Sequence, residues 1–199
     1  MRDSFTLALI AASIVTCWSA VAGAQPLRAV VVVYNDARIP STILDPAKNV
    51  STSLFSQAGI ELEWFQGSEI TGNIAAYPRL RIRIVSKANQ GAMQFPSRPL
   101  GFIASKHSGL AYILEHQVIE VARGYGIPES IVLATAISHE LGHLLLPATN
   151  HTPTGLMRNP FRQVDLIDMR HNRLRFTPAQ AAQLRAAVIS LRRQLLVSK

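Results

Sequence analysis

Five short stretches of the chain have the hydrophobic patterns of β-strands. They cover residues 27–34, 60–65, 79–85, 100–104 and 110–114. The first is a run of β-branched residues, which is typical of a strand buried on both faces. The third alternates arginine with apolar residues and therefore predicts one basic face. Polar stretches containing Gly and Pro separate the strands at 66–78 and 86–99 and are predicted to be loops.

Apolar residues recur at helical spacing in four other stretches. These cover 41–58, 115–123, 128–146 and 178–197. Gly59 ends the first as a C-terminal cap, and Gly124-Tyr125-Gly126 breaks the second. The third is apolar nearly all round, so we expect a buried helix with Pro128 in its first turn. Thr177-Pro178-Ala179-Gln180 opens the last helix as a capping box with proline at the first helical position.

The order of these elements predicts the fold class. A strand, a helix, more strands, a buried helix, a turn and a last helix fit a small α/β domain around a mixed twisted sheet. No linker or change in composition divides residues 25–199, so we expect them to form a single domain.

The buried helix carries His139-Glu140-x-x-His143. Residues four apart are neighbours on one face of a helix, so both imidazoles can point at one spot, as a zinc ion requires. Glu140 can lie beside the open side of the metal and take a proton from water. The alternative is a buried helix with two hydrogen-bonded histidines.

The residues after the helix strengthen the zinc interpretation. Pro147 ends the helix, and Ala148-Thr149-Asn150 forms a short turn. His151 follows with enough chain to fold back as a third ligand. Met157 ends the next tight segment.

This arrangement resembles the metzincin group of zinc metallopeptidases, in an outlying bacterial exported branch. The group usually has glycine and histidine where this chain has Leu146 and Thr149, and here the later histidine is His151. The resemblance implies an α+β, zincin-like catalytic domain over residues 25–199. It also implies zinc bound by His139, His143 and His151.

The resemblance further assigns the general base to Glu140 and a turn beneath the metal to Met157. The activity it implies is hydrolysis of peptide bonds in a protein or peptide substrate, as an endopeptidase. Stretch 100–104 is our choice for the edge strand that pairs with an extended substrate. The donor that stabilises the oxyanion is not evident. Members of the metzincin group sometimes use a tyrosine after the methionine, and here no tyrosine follows Met157.

Two other functions stay open at this stage. One is a non-catalytic exported binding protein with a structural zinc, closed by a fourth ligand such as Asp165 or His171. The other is a zinc hydrolase of a non-peptide bond. If His151 does not bind the metal, the reserve candidates for the third ligand are His171, Asp165 and Asp168. The two aspartates could instead orient a histidine ring. We expect His107 and His116 to be ordinary histidines.

Residues 1–24 are predicted to be a signal peptide. An apolar segment ends in Ala22-Gly23-Ala24 before Gln25, which is an A-x-A cleavage pattern and predicts an exported, periplasmic or secreted, protein. A retained membrane anchor, or a lipid on Cys17, is the competing interpretation. Cys17 is the single cysteine, so the processed chain would have no disulfide and no thiolate ligand.

The charge of +8 adds one expectation about partners. A basic exported protein is attracted to anionic envelope surfaces or acidic substrates, although a merely solvated basic face is the alternative. No zinc knuckle, RNA-binding aromatic motif or repeat is present, so we predict no specific nucleic-acid partner. No apolar stretch after residue 24 is long enough to span a membrane, so we predict no transmembrane segment after processing.

Overall fold

A computed structural model describes residues 26–67, 74–90, 98–105, 108–146 and 151–197. The predicted signal peptide lies outside these residues. Within them the chain forms five strands, β1 Leu27–Asn35, β2 Ile60–Gln66, β3 Arg79–Val85, β4 Gly101–Ser105 and β5 Leu110–Leu114. Five α-helices accompany them, α1 Ser41–Gln57, α2 Glu115–Tyr125, α3 Glu129–Leu145, α4 Gln163–Arg170 and α5 Pro178–Val197. No helix in this part of the chain is long and apolar enough to cross a membrane.

The strands form one sheet in the order β2-β1-β3-β5-β4. β1 runs parallel to both β2 and β3, and β3 runs parallel to β5. β4 pairs with β5 in the antiparallel direction and is the last strand on that side. The prediction of a small α/β domain with a mixed sheet is confirmed.

β1 is buried on both faces of the sheet, as its sequence predicted. Val31 and Val33 belong to the large core beneath the helices. Val30 and Val32 pack on the other side with Ile74 in a smaller cluster. Because each face meets other residues, a continuous run of valines replaces the alternation of a half-exposed strand.

α3 is the central helix of the domain. Its residues from Val132 to Leu145 are all buried, and it packs against α1, α2 and the strands β4 and β5. Leu146 leaves helical geometry with φ −69° and ψ 141°, because the residue before a proline is excluded from the α region. The helix that carries the zinc motif is therefore held by the core along most of its length.

The structure departs from the predictions after Met157. The segment between Met157 and Thr177, to which the sequence pattern assigned no element, contains α4, whose Val164 and Ile167 are exposed and gave no helical pattern. A buried ion pair fixes its start. The Arg158 guanidinium donates to both carboxylate oxygens of Asp165, at 3.1 and 3.0 Å, and one of these oxygens also accepts the Arg162 amide at 2.7 Å.

Several element boundaries also differ from the predictions by one or two residues. α2 continues to Tyr125 and ends at Gly126, which has a φ of 59°, because that left-handed residue and not Gly124 supplies the cap. β4 begins one residue later than predicted, at Gly101.

Candidate metal centre

His139 and His143 point at each other from consecutive turns of α3. Their Nε2 atoms are 3.0 Å apart and both residues are buried. This follows from the helical repeat, which places residues four apart on one face.

His151 completes a group of three histidines. Its Nε2 lies 3.2 Å from the Nε2 of His143, and its ring stacks on that of His139 with centroids 5.3 Å apart. One ligand atom from each histidine lies within 4.8 Å of the others, and among the described residues no further His, Cys, Asp or Glu joins them. Three imidazole nitrogens with an open fourth position are a donor set that suits zinc.

The reserve ligands lie elsewhere. Asp165 pairs with Arg158, and Asp168 pairs with Arg173 at 3.0 Å. His171 is exposed at the end of α4. Of the two histidines expected to be ordinary, His116 lies on α2 and His107 lies outside the described residues.

A hydrogen bond orients the ring of His139. Its Nδ1 lies 2.8 Å from the carbonyl oxygen of Leu156, so this nitrogen carries the proton and donates. The Nε2 lone pair is then directed at the other histidines, which is the arrangement that metal-ligating imidazoles adopt. Burial lowers the pKa of His139 to about 4, so the ring is neutral at neutral pH. Burial also lowers the pKa of His151.

The segment that carries His151 is fixed by hydrogen bonds within itself and to α5. The Thr152 amide donates to the Met157 carbonyl at 3.0 Å, which closes the turn. The Thr152 hydroxyl donates to the Thr154 carbonyl and accepts the Gln180 amide, both at 2.8 Å. The buried Gln180 also accepts the Thr177 amide through its side-chain oxygen, so the cap of α5 holds the turn.

Met157 lies beneath the motif helix. It is fully buried, and a Cβ placed on Gly142 would come within 2.5 Å of its sulfur. The absence of a side chain at Gly142 therefore makes room for Met157 under the helix, one residue from His143.

Glu140 faces β4 and is 5% exposed. A Cβ on Gly101 would lie 2.8 Å from its Cγ, so the edge strand passes directly against this carboxyl group. Burial raises the pKa of Glu140 to about 8.

A cavity of about 580 Å³ opens over the three histidines and Glu140. β4 borders it on one side, and the segment from Arg158 to Phe161 borders it on another. The lining of the cavity is largely apolar and includes the side chains of Leu100, Ile103, Val121, Phe161 and Leu166. A cavity with a few converging polar groups on an apolar lining is the usual form of a small binding or catalytic site.

Three residues of this site are not evident from the sequence. Gln180 reads only as a helix cap, and nothing in the pattern around Asn159 or Phe161 marks either as a cavity residue. Their contribution comes from contacts between segments that are separate in the chain.

Comparison with known structures gives the fold. The archaemetzincin of Methanopyrus kandleri superposes with a TM-score of 0.50 at 12% identity, covering 84% of this chain and 99% of that protein. The chain shares the fold of archaemetzincin. A zinc-dependent peptidase from Methanocorpusculum labreanum superposes with a TM-score of 0.49 at 16% identity, covering 77% of this chain and 99% of that one.

No described protein family matches the sequence, and neither does any curated protein. The predicted zincin-like fold is therefore confirmed by structure alone. Within it, the three-histidine group is suited to bind zinc, as the sequence predicted.

Proposed function

We propose that the protein is an exported zinc-dependent peptidase that cleaves within peptide chains. The observation that carries the proposal is the convergence of three histidine Nε2 atoms beside a buried glutamate, in a cavity bordered by an edge strand. The fold shared with archaemetzincin supports it.

His139, His143 and His151 would hold the metal. When bound there, zinc supplies a Lewis acid that activates water and polarises a carbonyl group. The positive charge of bound zinc would lower the raised pKa of Glu140, and its carboxylate would then accept the proton of the attacking water and pass it to the leaving amine. The low exposure of Glu140 keeps bulk water from competing for that proton.

The edge of the sheet offers a way to hold the substrate. β4 is the last strand in the sheet order, so an extended peptide can add to it as a further strand. Gly101 brings this strand against Glu140, which would align the peptide with the base. The apolar walls formed by Leu100, Ile103 and Phe161 would receive a hydrophobic side chain.

The alternative of a structural zinc requires a closed site. Among the described residues no fourth His, Cys, Asp or Glu side chain joins the three histidines, which favours an open, catalytic position. A zinc hydrolase of a non-peptide bond would use the same groups, so the substrate has to be tested directly.

The test is digestion of a broad peptide library by the processed protein, with and without chelator. The processed protein should bind about one zinc per chain. In this zinc-loaded form it should cleave peptides at internal bonds. Glu140→Gln should keep its zinc and fold but lose about 10²–10⁴-fold in rate, since it cannot accept the proton. Zinc-loaded wild type that cleaves no peptide would reject the peptidase, and zinc loss in Glu140→Gln would make Glu140 a ligand.

Export is part of the same proposal and rests on the apolar segment before Ala22-Gly23-Ala24. Sequencing the N-terminus of protein recovered outside the cytoplasm should give Gln25, and a retained leader would contradict it. Attraction to an anionic envelope surface stays a prediction from the charge.

A further inference from the structure

The side chain of Asn159 reaches the metal centre. Its Nδ2 lies 3.3 Å from the Nε2 of His151, the same nitrogen that approaches His143 at 3.2 Å. Asn159 is exposed and lines the cavity that holds Glu140. An amide donor therefore stands at the edge of the site where the ligand atoms converge.

The acceptor of this hydrogen bond is the lone pair that a metal would use. A neutral imidazole has one accepting nitrogen, and His151 cannot offer that lone pair to zinc and to an amide at once. In the zinc-loaded protein the Asn159 amide must turn to another acceptor. Because Asn159 is exposed and lines the cavity, solvent water or an oxygen atom of a bound substrate can accept from it.

The backbone around Asn159 is held firmly. The preceding residue, Arg158, is buried, donates its amide to the Gly155 carbonyl at 3.1 Å, and donates through its guanidinium to both oxygens of Asp165. Asp165 in turn accepts the Arg162 amide. The backbone of Asn159 thus lies between two anchored residues, Arg158 and Arg162, which restricts the positions that its side-chain amide can reach.

We propose that Asn159 is the oxyanion-stabilising residue of the reaction. The inference rests on the proposed peptidase function. As the attacking water adds to the scissile carbonyl, the π electrons of the C=O bond move to its oxygen. The side-chain N–H of Asn159 donates to that oxygen as its negative charge grows. Asn159 neither gains nor loses a proton, because Glu140 carries the proton of the water to the leaving amine.

The test compares Asn159→Ala and Asn159→Asp with the wild type, and uses Gln163→Ala as an exposed neighbour outside the cavity. Removing one oxyanion donor should lower kcat about 10²–10³-fold with little change in KM. Zinc affinity, measured by chelator competition, should stay as in the wild type. Gln163→Ala should match the wild type throughout.

A second readout does not depend on turnover. A peptide phosphinate carries a charged tetrahedral oxygen like that of the transition state, and its affinity can be measured by calorimetry. Both Asn159 variants should bind it more weakly than the wild type by about the same factor as the loss in kcat. Asn159→Asp should lose at least as much as Asn159→Ala, because a carboxylate repels the developing charge.

Two results would overturn the assignment while leaving the peptidase intact. One is an unchanged kcat and phosphinate affinity in Asn159→Ala. The other is weakened zinc binding with activity restored at saturating zinc, which would make Asn159 a metal ligand or a support of His151. A zinc-loaded wild type that neither cleaves peptides nor binds the phosphinate would reject the proposed function, and this inference with it.

Discussion

The position of His151 depends on a glutamine that never touches it. Gln180 donates to the hydroxyl of Thr152, the residue next to His151, and accepts the amide of Thr177 with its other side-chain atom. The two halves of one carboxamide therefore link the start of α5 to the third ligand of the metal centre. The two hydrogen bonds can therefore be tested separately. The side-chain oxygen of Gln180 accepts the Thr177 amide at the start of α5, and its side-chain nitrogen donates to Thr152.

Gln180→Glu should weaken zinc binding without disturbing the helix. Glutamate keeps the oxygen that caps α5 but loses the donor to Thr152, and a lost hydrogen bond of about 1 kcal/mol corresponds to roughly three- to tenfold in affinity. Chelator competition measures the affinity, and helix content by circular dichroism provides the control. Wild-type affinity in this variant would show that the turn holds His151 unaided.

The helix histidines and the later ligand were not equally predictable. His139 and His143 share a helix face whatever the tertiary structure, so their spacing alone brings their rings together. The place of His151 requires a chain reversal, and the orientation of His139 requires the carbonyl of Leu156. Asn159 and Gln180 reach the site only through such packing, and single-sequence patterns carry no information about it.

At the scale of elements, two glycines allow neighbouring segments to approach α3 closely. Gly142 meets Met157 below the helix, and Gly101 brings β4 against Glu140 above it. Both glycines serve by having no side chain, because any Cβ would occupy space already filled. The close packing of α3 against the turn of Met157 and against β4 therefore requires glycine at both positions.

Gly142→Ala should destabilise the metal-free protein by about 1–3 kcal/mol. The new Cβ would stand 2.5 Å from the sulfur of Met157, and this overpacking outweighs the gain of up to about 1 kcal/mol in helix propensity. Thermal unfolding in chelator measures the change.

The matched control is Gly124→Ala in α2, where a Cβ would have no neighbour within 4 Å. It should stabilise by up to about 1 kcal/mol, because alanine favours the helix. The double variant Gly142→Ala, Met157→Ala should cost less than the sum of its single changes. Strict additivity would show that the clash is not with Met157.

The predicted elements agree with the structure where the pattern reflects burial. β1 and most of α3 are buried, so their continuous apolar sequences predicted the type of each element and nearly its bounds. α4 escaped prediction because Val164 and Ile167 are exposed and an ion pair from outside the helix fixes its start. The strand order, with β1 between β2 and β3, depends on crossovers that local periodicity does not encode.

At the scale of the whole molecule, the three candidate metal ligands come from parts of the chain that belong to different elements. α3 supplies two histidines, and a turn held by α5 supplies the third. Any ligand that binds only the folded state adds to its stability. Zinc should therefore stabilise the entire domain and not only the region around the site.

Zinc removal should lower the Tm. Free zinc at 100 times its Kd stabilises by about 2.7 kcal/mol, which is roughly 5–10 °C for a domain of this size. Calorimetry with zinc and with chelator measures the difference. In His143→Ala the two scans should coincide, because two remaining histidines bind zinc weakly. A wild-type Tm that is the same with zinc and with chelator would contradict a metal centre at these histidines.

The anchoring of His151 by Gln180 also sets an order of events during biogenesis. Of the described elements, α5 is made last by the ribosome, and in a chain exported as proposed this helix also follows the others. His151 gains the support of these hydrogen bonds only after Thr177 and Gln180 have emerged and docked. A chain exported unfolded, as proposed, would thus complete the support of its third histidine only after crossing the membrane. It would then acquire zinc in the compartment of destination and not in the one where it is made.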